Sequence, residues 1–299
     1  MRTGRWWLLG VVVMAAARAA PAATAPFEVP PLMQPPVAAE HPGKLIWAEL
    51  MTPDVAAAKR FYGGLFGWTF RDIHAPSVEY SVALLDGAPI AGFVQRTMRP
   101  PGKSQPAWVP FFSVPSVHAA AQAIAAQGGR QLVAPRAVRH RGQQAVYADP
   151  QGAVFAVCNS HSGDPPDVLA APGEWIWSAL VTKDPQADAA FYRDVFGFEV
   201  FDLPSGTRGA HLVLASEQYA RASVNPLPRD GNVRPHWIDF VRVASAADTA
   251  ARAGAVGGRV LVEPHADRHG GLVALLADPA GALIGVMEWN AATDAGAAK

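Results

Sequence analysis

The chain has 299 residues, half of them hydrophobic and 17% charged, with 25 basic and 25 acidic side chains. That is apolar material for about two domains of ordinary size and excludes a disordered chain. The charges are scattered rather than gathered into a stripe, which argues against nucleic acid as a partner, and the single cysteine, Cys158, excludes an internal disulfide.

Residues 1–25 carry Arg2 and Arg5, a twelve-residue apolar stretch from Trp6 to Ala17, and small-x-small sites such as Ala23-Thr24-Ala25. This is the pattern of a secretory signal peptide, too short in its apolar part for the roughly 20 residues that span a bilayer. The expectation is export, with a periplasmic destination and no stable membrane insertion. Residues 26–43, PFEVPPLMQPPVAAEHPG, are proline-rich and read as an extended spacer.

From residue 44 the elements follow in order. Residues 45–51 alternate as a strand; Asp54 is a helix N-cap; Ala58, Phe61, Tyr62 and Leu65 share a helical face that Gly67 ends. Strands are expected near 68–72, 80–85 and 90–95. A second pass runs strand 108–114, helix 115–127 closed by Gly128-Gly129, strands 130–134 and 144–148, an Asp-Pro-Gln-Gly turn, and strand 153–158, which ends at Cys158 and makes that thiol a buried hydrophobe. Each pass is β-α-β-β-β.

The whole set then recurs. LIWAELMTPDVAAAKRFYGGLFGWTF (45–70) matches WIWSALVTKDPQADAAFYRDVFGFEV (175–200) at an offset of 130, and LVAPRAVRHRGQQAVYADPQGA (132–153) matches LVEPHADRHGGLVALLADPAGA (261–282) at an offset of 129. Such a repeat means a duplicated domain. The expected organisation is domain 1 over 44–160, a linker over 161–173, domain 2 over 174–290 and a disordered tail over 291–299.

W-x-x-L-x-T-x-D before a helix holding F-Y and ending F-G-W/F, with a later D-P-x-G-A turn, resembles the vicinal oxygen chelate superfamily of glyoxalases, bleomycin-resistance proteins and extradiol dioxygenases, in particular its tandem glyoxalase-like branch. The resemblance implies an α+β fold of two tandem domains, each of two βαβββ modules forming a cup-shaped mixed sheet. It also implies that the cup floor can hold a divalent metal acting as a Lewis acid. The ligand spacing that the resemblance implies, counted from the helix-opening and turn aspartates and aligned through Val114 and Val243 in the second modules, places Trp47, Val109 and Ala156 at the ligand positions of the first cup and Trp177, Ile238 and Gly285 at those of the second. None of these side chains ligates a metal, so no cofactor is expected. Glu49 and His236 share faces with Trp47 and Ile238, and a displaced divalent-metal site using them belongs to the alternative reading, a lyase or dioxygenase.

The preferred reading is metal-independent binding of a small aromatic or apolar ligand; a third is a duplicated scaffold whose cups are filled by their own aromatics. Candidate ligand-binding residues are Trp47, Glu49, Phe111, Trp177 and His236, with Tyr147 and Gln95 added from strand parity. The repeated Arg-His pairs, Arg139-His140 and Arg268-His269, are read either as cationic groups at a cup mouth or as solvated hairpin turns. His211, Arg221, Asp239, Glu263 and His265 add polar groups without a motif. Four modules in one chain make a monomer sufficient.

Overall fold

A computed structural model describes residues 28–75, 78–98, 105–203, 211–228, 233–267 and 271–289. The expected signal peptide and tail, and the Arg268-His269 pair, lie outside the described residues. Domain 1 runs β1 (Leu45–Thr52), α1 (Val55–Phe66), β2 (Thr69–Ala75), β3 (Val78–Leu85), β4 (Ala88–Gln95), β5 (Ala107–Ser113), α2 (Val117–Ala126), β6 (Arg130–Val138), β7 (Gly142–Ala148) and β8 (Val154–Ser160). Domain 2 repeats it as β9 (Trp175–Thr182), α3 (Pro185–Phe196), β10 (Glu199–Asp202), β11 (Leu212–Ser216), β12 (Tyr219–Pro226), β13 (His236–Val243), α4 (Ala246–Ala253), β14 (Arg259–Ala266), β15 (Leu272–Ala277) and β16 (Leu283–Glu288).

Local sequence sets the helix limits. Asp54 and Asp184 each accept from the amide three residues on, at 2.8 and 3.1 Å, and Gly67 and Gly197 both sit at φ +74, the left-handed conformation that ends a helix cheaply only with glycine. Ser116 and Ser245 cap the other two helices in the same way.

Each domain forms one eight-stranded sheet, in the orders β2-β3-β4-β1-β5-β8-β7-β6 and β10-β11-β12-β9-β13-β16-β15-β14. The modules meet at the antiparallel pairs β1/β5 and β9/β13, and each first strand also pairs in parallel with the last strand of its own module. Strand alternation sends one residue set to the concave side, the cup, and the other to the convex side that carries the helices.

The convex sides form the core between the domains. One cluster joins Phe61, Tyr62, Leu65, Trp68 and Phe93 of domain 1 to Val241, Leu276, Ile284 and Val286 of domain 2, and a second joins Phe112, Ile124, Tyr147 and Phe155 to Phe191, Tyr192, Leu214 and Trp237. Burying each such side chain contributes about 1.5–3 kcal/mol. The repeated phrases meet here: Tyr192 of the second F-Y donates to Asp149 of the first Asp-Pro turn at 3.0 Å, and Tyr62 of the first lies 3.4 Å from Asp278 of the second. Trp108 and Trp237 donate to the same tyrosine hydroxyls at 2.8 and 3.0 Å. The duplicated motif is thus a reciprocal docking device.

The proline-rich segment is not a free spacer. Val29 and Leu32 are buried in the apolar cluster of the first cup, and the segment is stitched down by Met33 N–H to Ser162 Oγ at 3.1 Å, Val37 N–H to Ser162 O at 2.9 Å and Asp164 N–H to Ala39 O at 2.9 Å.

Candidate functional site

Strand register fixes the floor of each cup. In the first, Ala107, Met51, Val94 and Tyr80 form one row across four strands; Val109, Glu49, Gly92 and Val82 form the next; Trp47, Phe111, Ala156 and Val146 form a third. The second cup substitutes His236, Val181 and Asn225, next to His211; then Ile238, Ala179, Ser223 and Val213; then Trp177, Phe240, Gly285 and Leu275.

In the first cup Tyr80 donates to Glu49 Oε1 at 2.8 Å. The approach requires Gly92, because a Cβ there would lie 2.2 Å from the Tyr80 hydroxyl. Burial raises the pKa of Glu49 from its ordinary value, against the pull of the Tyr80 hydroxyl and the Arg141 charge. Arg141 enters from the β6–β7 turn, only 3% exposed, with its guanidinium 3.8 Å from the centre of the Trp47 ring. Above this group lie Val29, Pro30 and Leu32, and the Pro30 carbonyl accepts from Arg141 Nε at 3.1 Å.

The second cup has no equivalent cover among the described residues. Ala179, Ile238, Phe240 and Met287 are buried at its floor, while Ile176, Trp177, Val181, Val273, Leu275 and Trp289 are only partly buried around them. A polar line crosses one side: His211 Nδ1 lies 2.6 Å from Asn225 Oδ1, Asn225 Nδ2 donates to Ser223 Oγ at 3.0 Å, and Trp177 Nε1 donates to the same oxygen at 3.1 Å. His236 Nδ1 donates to the Arg234 carbonyl at 2.8 Å, and its Nε2 is buried without a hydrogen-bond partner among the described residues. The Phe240 ring lies directly on Gly285, where a Cβ would come within 2.2 Å of it.

The positions counted for the superfamily's metal do not fit it. Its counted positions hold an indole, an isopropyl and a methyl group in the first cup, and an indole, a sec-butyl group and a glycine under a phenyl ring in the second, none of which supplies an oxygen, sulfur or imidazole ligand. Outside the cups, ligand atoms of His41, Asp167 and Glu217 lie within 4.8 Å of one another. Two cations already serve that group: Arg221 binds Asp167 through both ends at 2.5 and 2.8 Å, and Lys44 does so at 2.8 Å. Burial works against the Asp167 charge, but these hydrogen bonds outweigh it and hold its pKa down to about 2. It ties the linker to domain 2 and leaves a dication facing two fixed positive charges.

The sequence-derived candidates divide accordingly. Trp47, Glu49 and Phe111 meet in the first cup, and Trp177 and His236 in the second. Tyr147 does not join them: it pairs with Phe155 on the convex side and belongs to the interdomain core, because Val146 takes the inward position. Gln95 caps α1, accepting from Val55 N–H at 3.1 Å. Arg139 and His140 lie on an exposed hairpin turn, His140 at φ +61, and Arg139 pairs with Glu28 at 2.6 Å. Arg221 sits in the ionic group above, and Asp239 faces the convex side, where Ser178 donates to it at 2.7 Å. Glu263 and His265 are exposed on β14.

Sequence reading passed over Tyr80, Arg141, Ser223 and Asn225. Tyr80 and Asn225 stand on inward strand parity in modules already recognised, which is the signal that would have found them.

A glyoxalase-like domain family model matches residues 47–158 and again 177–287. The anthracycline biosynthesis protein DauV of Streptomyces sp. (strain C5) is 35% identical over 269 residues, covering 86% of this chain and 97% of its own. The putative glyoxylase CFP32 of Mycobacterium bovis is 30% identical over 248 residues, covering 81% and 93%. Among solved structures, the Mn(II)-bound glyoxalase from Novosphingobium aromaticivorans matches with a TM-score of 0.59 at 17% identity over 83% of both chains. The 2,3-dioxygenase LapB from Pseudomonas sp. KL28 matches with a TM-score of 0.57 at 13% identity, over 85% of this chain and 94% of its own.

Proposed function

This chain belongs to the glyoxalase-like family of the vicinal oxygen chelate superfamily, and from that premise we propose that it is a small-molecule binding protein whose second cup takes a flat, largely apolar ligand without a metal ion. The observation that carries the reading is the contrast within one floor: Trp177, Ile238 and Gly285 under the Phe240 ring where the superfamily's metal chemistry needs ligands, beside the Ser223–Asn225–His211 line that can orient a polar edge. Apolar walls supply affinity and a few convergent polar groups fix the pose. His236 Nε2 adds an acceptor for a phenolic hydroxyl. Two relatives, DauV and DnrV, are anthracycline biosynthesis proteins, and a polycyclic aromatic with hydroxyl or quinone oxygens matches this lining. The first cup, covered by the chain's own Val29 and Leu32, is closed to such a ligand as it stands.

The Arg2/Arg5, apolar and small-residue pattern of residues 1–25 supports export of the mature chain. Each cup is built from strands of a single domain, which supports a monomeric binder.

The test is a fluorescence titration of the full chain with 1,8-dihydroxyanthraquinone. Trp177→Ala is expected to weaken binding about 10-fold or more through loss of aromatic contact, and Ser223→Ala by a smaller factor. Binding that ignores both substitutions, or that appears only on adding a divalent metal, contradicts the proposal and favours a metal-dependent enzyme.

A further inference from the structure

We infer that the first cup is a separate binding site for a small planar carboxylate, which the chain's own residues 28–33 occupy as an exchangeable pseudo-ligand. The central observation is Arg141. Its side chain is almost wholly buried, at 3% exposure, stacked 3.8 Å from the Trp47 ring centre, and therefore fixed in plane as a fork. One tine, Nε, meets the neutral carbonyl of Pro30 at 3.1 Å, and another, Nη2, is buried with no partner among the described residues. A buried guanidinium so served is costly, because its charge has left water for half a set of acceptors. A carboxylate reaching both nitrogens would supply the missing acceptor and a directly bonded counter-charge, which Glu49 on the floor gives only through space.

The rest of the cup selects the body of the ligand. Glu49 is half-buried on the floor, among the buried Trp47, Val82, Phe111 and Cys158, and its carboxyl can meet a ligand hydroxyl once the cover leaves. The cover suits displacement: Pro30 and Pro31 have no N–H to tie them down, and its apolar anchors are Val29 and Leu32. Pro30 O marks where one carboxylate oxygen sits, and Val29 and Leu32 mark the volume of the apolar body. The first cup differs here from the second, whose floor has Ala179 at the position of Glu49.

The experiment is hydrogen–deuterium exchange of the full chain with benzoate, and with benzamide as the neutral isostere. Entry of benzoate displaces the cover and breaks the bonds from Met33 and Val37 N–H to Ser162, so exchange across residues 33–37 should rise at least several-fold with benzoate and stay unchanged with benzamide. Leu32→Ser, which loosens the cover without adding a charge near the fork, should tighten benzoate binding at least tenfold by calorimetry, and Arg141→Gln in that background should abolish it. No exchange response and no binding in Leu32→Ser, an equal response to benzamide, or binding that survives Arg141→Gln would each overturn the inference. Ligand entry into the second cup does not move residues 33–37, so these readouts separate this inference from the function proposed above.

Discussion

The two cups descend from one repeat and are related residue by residue, yet the polar groups on their floors differ throughout, while the motif that docks the domains back to back is the same in both. On the convex side both copies keep F-Y, the Asp-Pro turn and the tryptophan that donates to the tyrosine, because each copy's motif is the other's docking partner. A change on one side would have to be matched on the other. The concave sides face no such partner. There Glu49 stands against Ala179, Tyr80 against His211, Gly92 against Ser223 and Val94 against Asn225. One cup has become a buried arginine, acid and tyrosine under a strap of its own chain, and the other an aromatic bowl with a polar line. Duplication kept the scaffold by mutual constraint and left the floors free to diverge.

The sharpest way to break the symmetric half of this comparison is to remove a turn aspartate. Asp278 Oδ1 accepts from the amides of Ala280, Gly281 and Ala282 at 2.8–2.9 Å, and Asp149 does the same for Gln151, Gly152 and Ala153 at 2.7–3.0 Å. Asp149→Ala and Asp278→Ala should each cost about 3 kcal/mol in urea unfolding, from the loss of three charge-assisted hydrogen bonds, one of them to a buried amide, and should agree within about 1 kcal/mol. A large inequality would mean that the two docking contacts are not equivalent.

One convex position that differs is read by pH. Asp239 is fully buried where domain 1 has Pro110; burial pushes its pKa up to about 7, with only the Ser178 hydroxyl opposing. A folded-state pKa above the unfolded value of about 3.9 contributes stability that is present at low pH and lost as pH rises through about 7. Stability should therefore fall between about pH 4 and 7. Asp239→Asn should remove about 2–4 kcal/mol of that fall and be the more stable protein at pH 8. Asp188, pushed by burial up to about 6, keeps a smaller slope below that pH in both proteins. An unchanged profile in Asp239→Asn would show that the carboxyl is already ionised in the fold.

How much of this was legible in the sequence follows from what is local. Asp54, Gly67 and the alternating strands act through neighbours a few residues away, so the βαβββ modules and their duplication could be read directly. The repeat itself misdirected the search for function. It drew attention to Arg139-His140 because they recur as Arg268-His269, whereas the next position, Arg141 in one copy and Gly270 in the other, holds the side chain that enters a cup. Recurrence marks what both copies need, and that is docking. The cover was illegible for another reason: a proline-rich stretch has no periodicity to show that Val29 and Leu32 find a cup whose strands lie far along the chain.

Two smaller effects sharpen the contrast. Leu32→Ser should lower stability by about 2 kcal/mol, the loss of one buried leucine, and leave the affinity of the second cup unchanged; a shift there would show that the cups are coupled. Cys158, buried in the first cup with its thiol pushed up to about 12 by burial, should resist alkylation at pH 8 in the native protein.

The most direct test of the central claim is the stoichiometry of 1,8-dihydroxyanthraquinone bound to the full-length chain in equilibrium dialysis, before and after metal removal with a chelator. One ligand per chain, unchanged by chelation, is the expected result, since among the described residues only the second cup lacks a cover and the proposed binding uses no metal. Two per chain would contradict the closed first cup, and loss of binding on chelation would contradict the metal-free one.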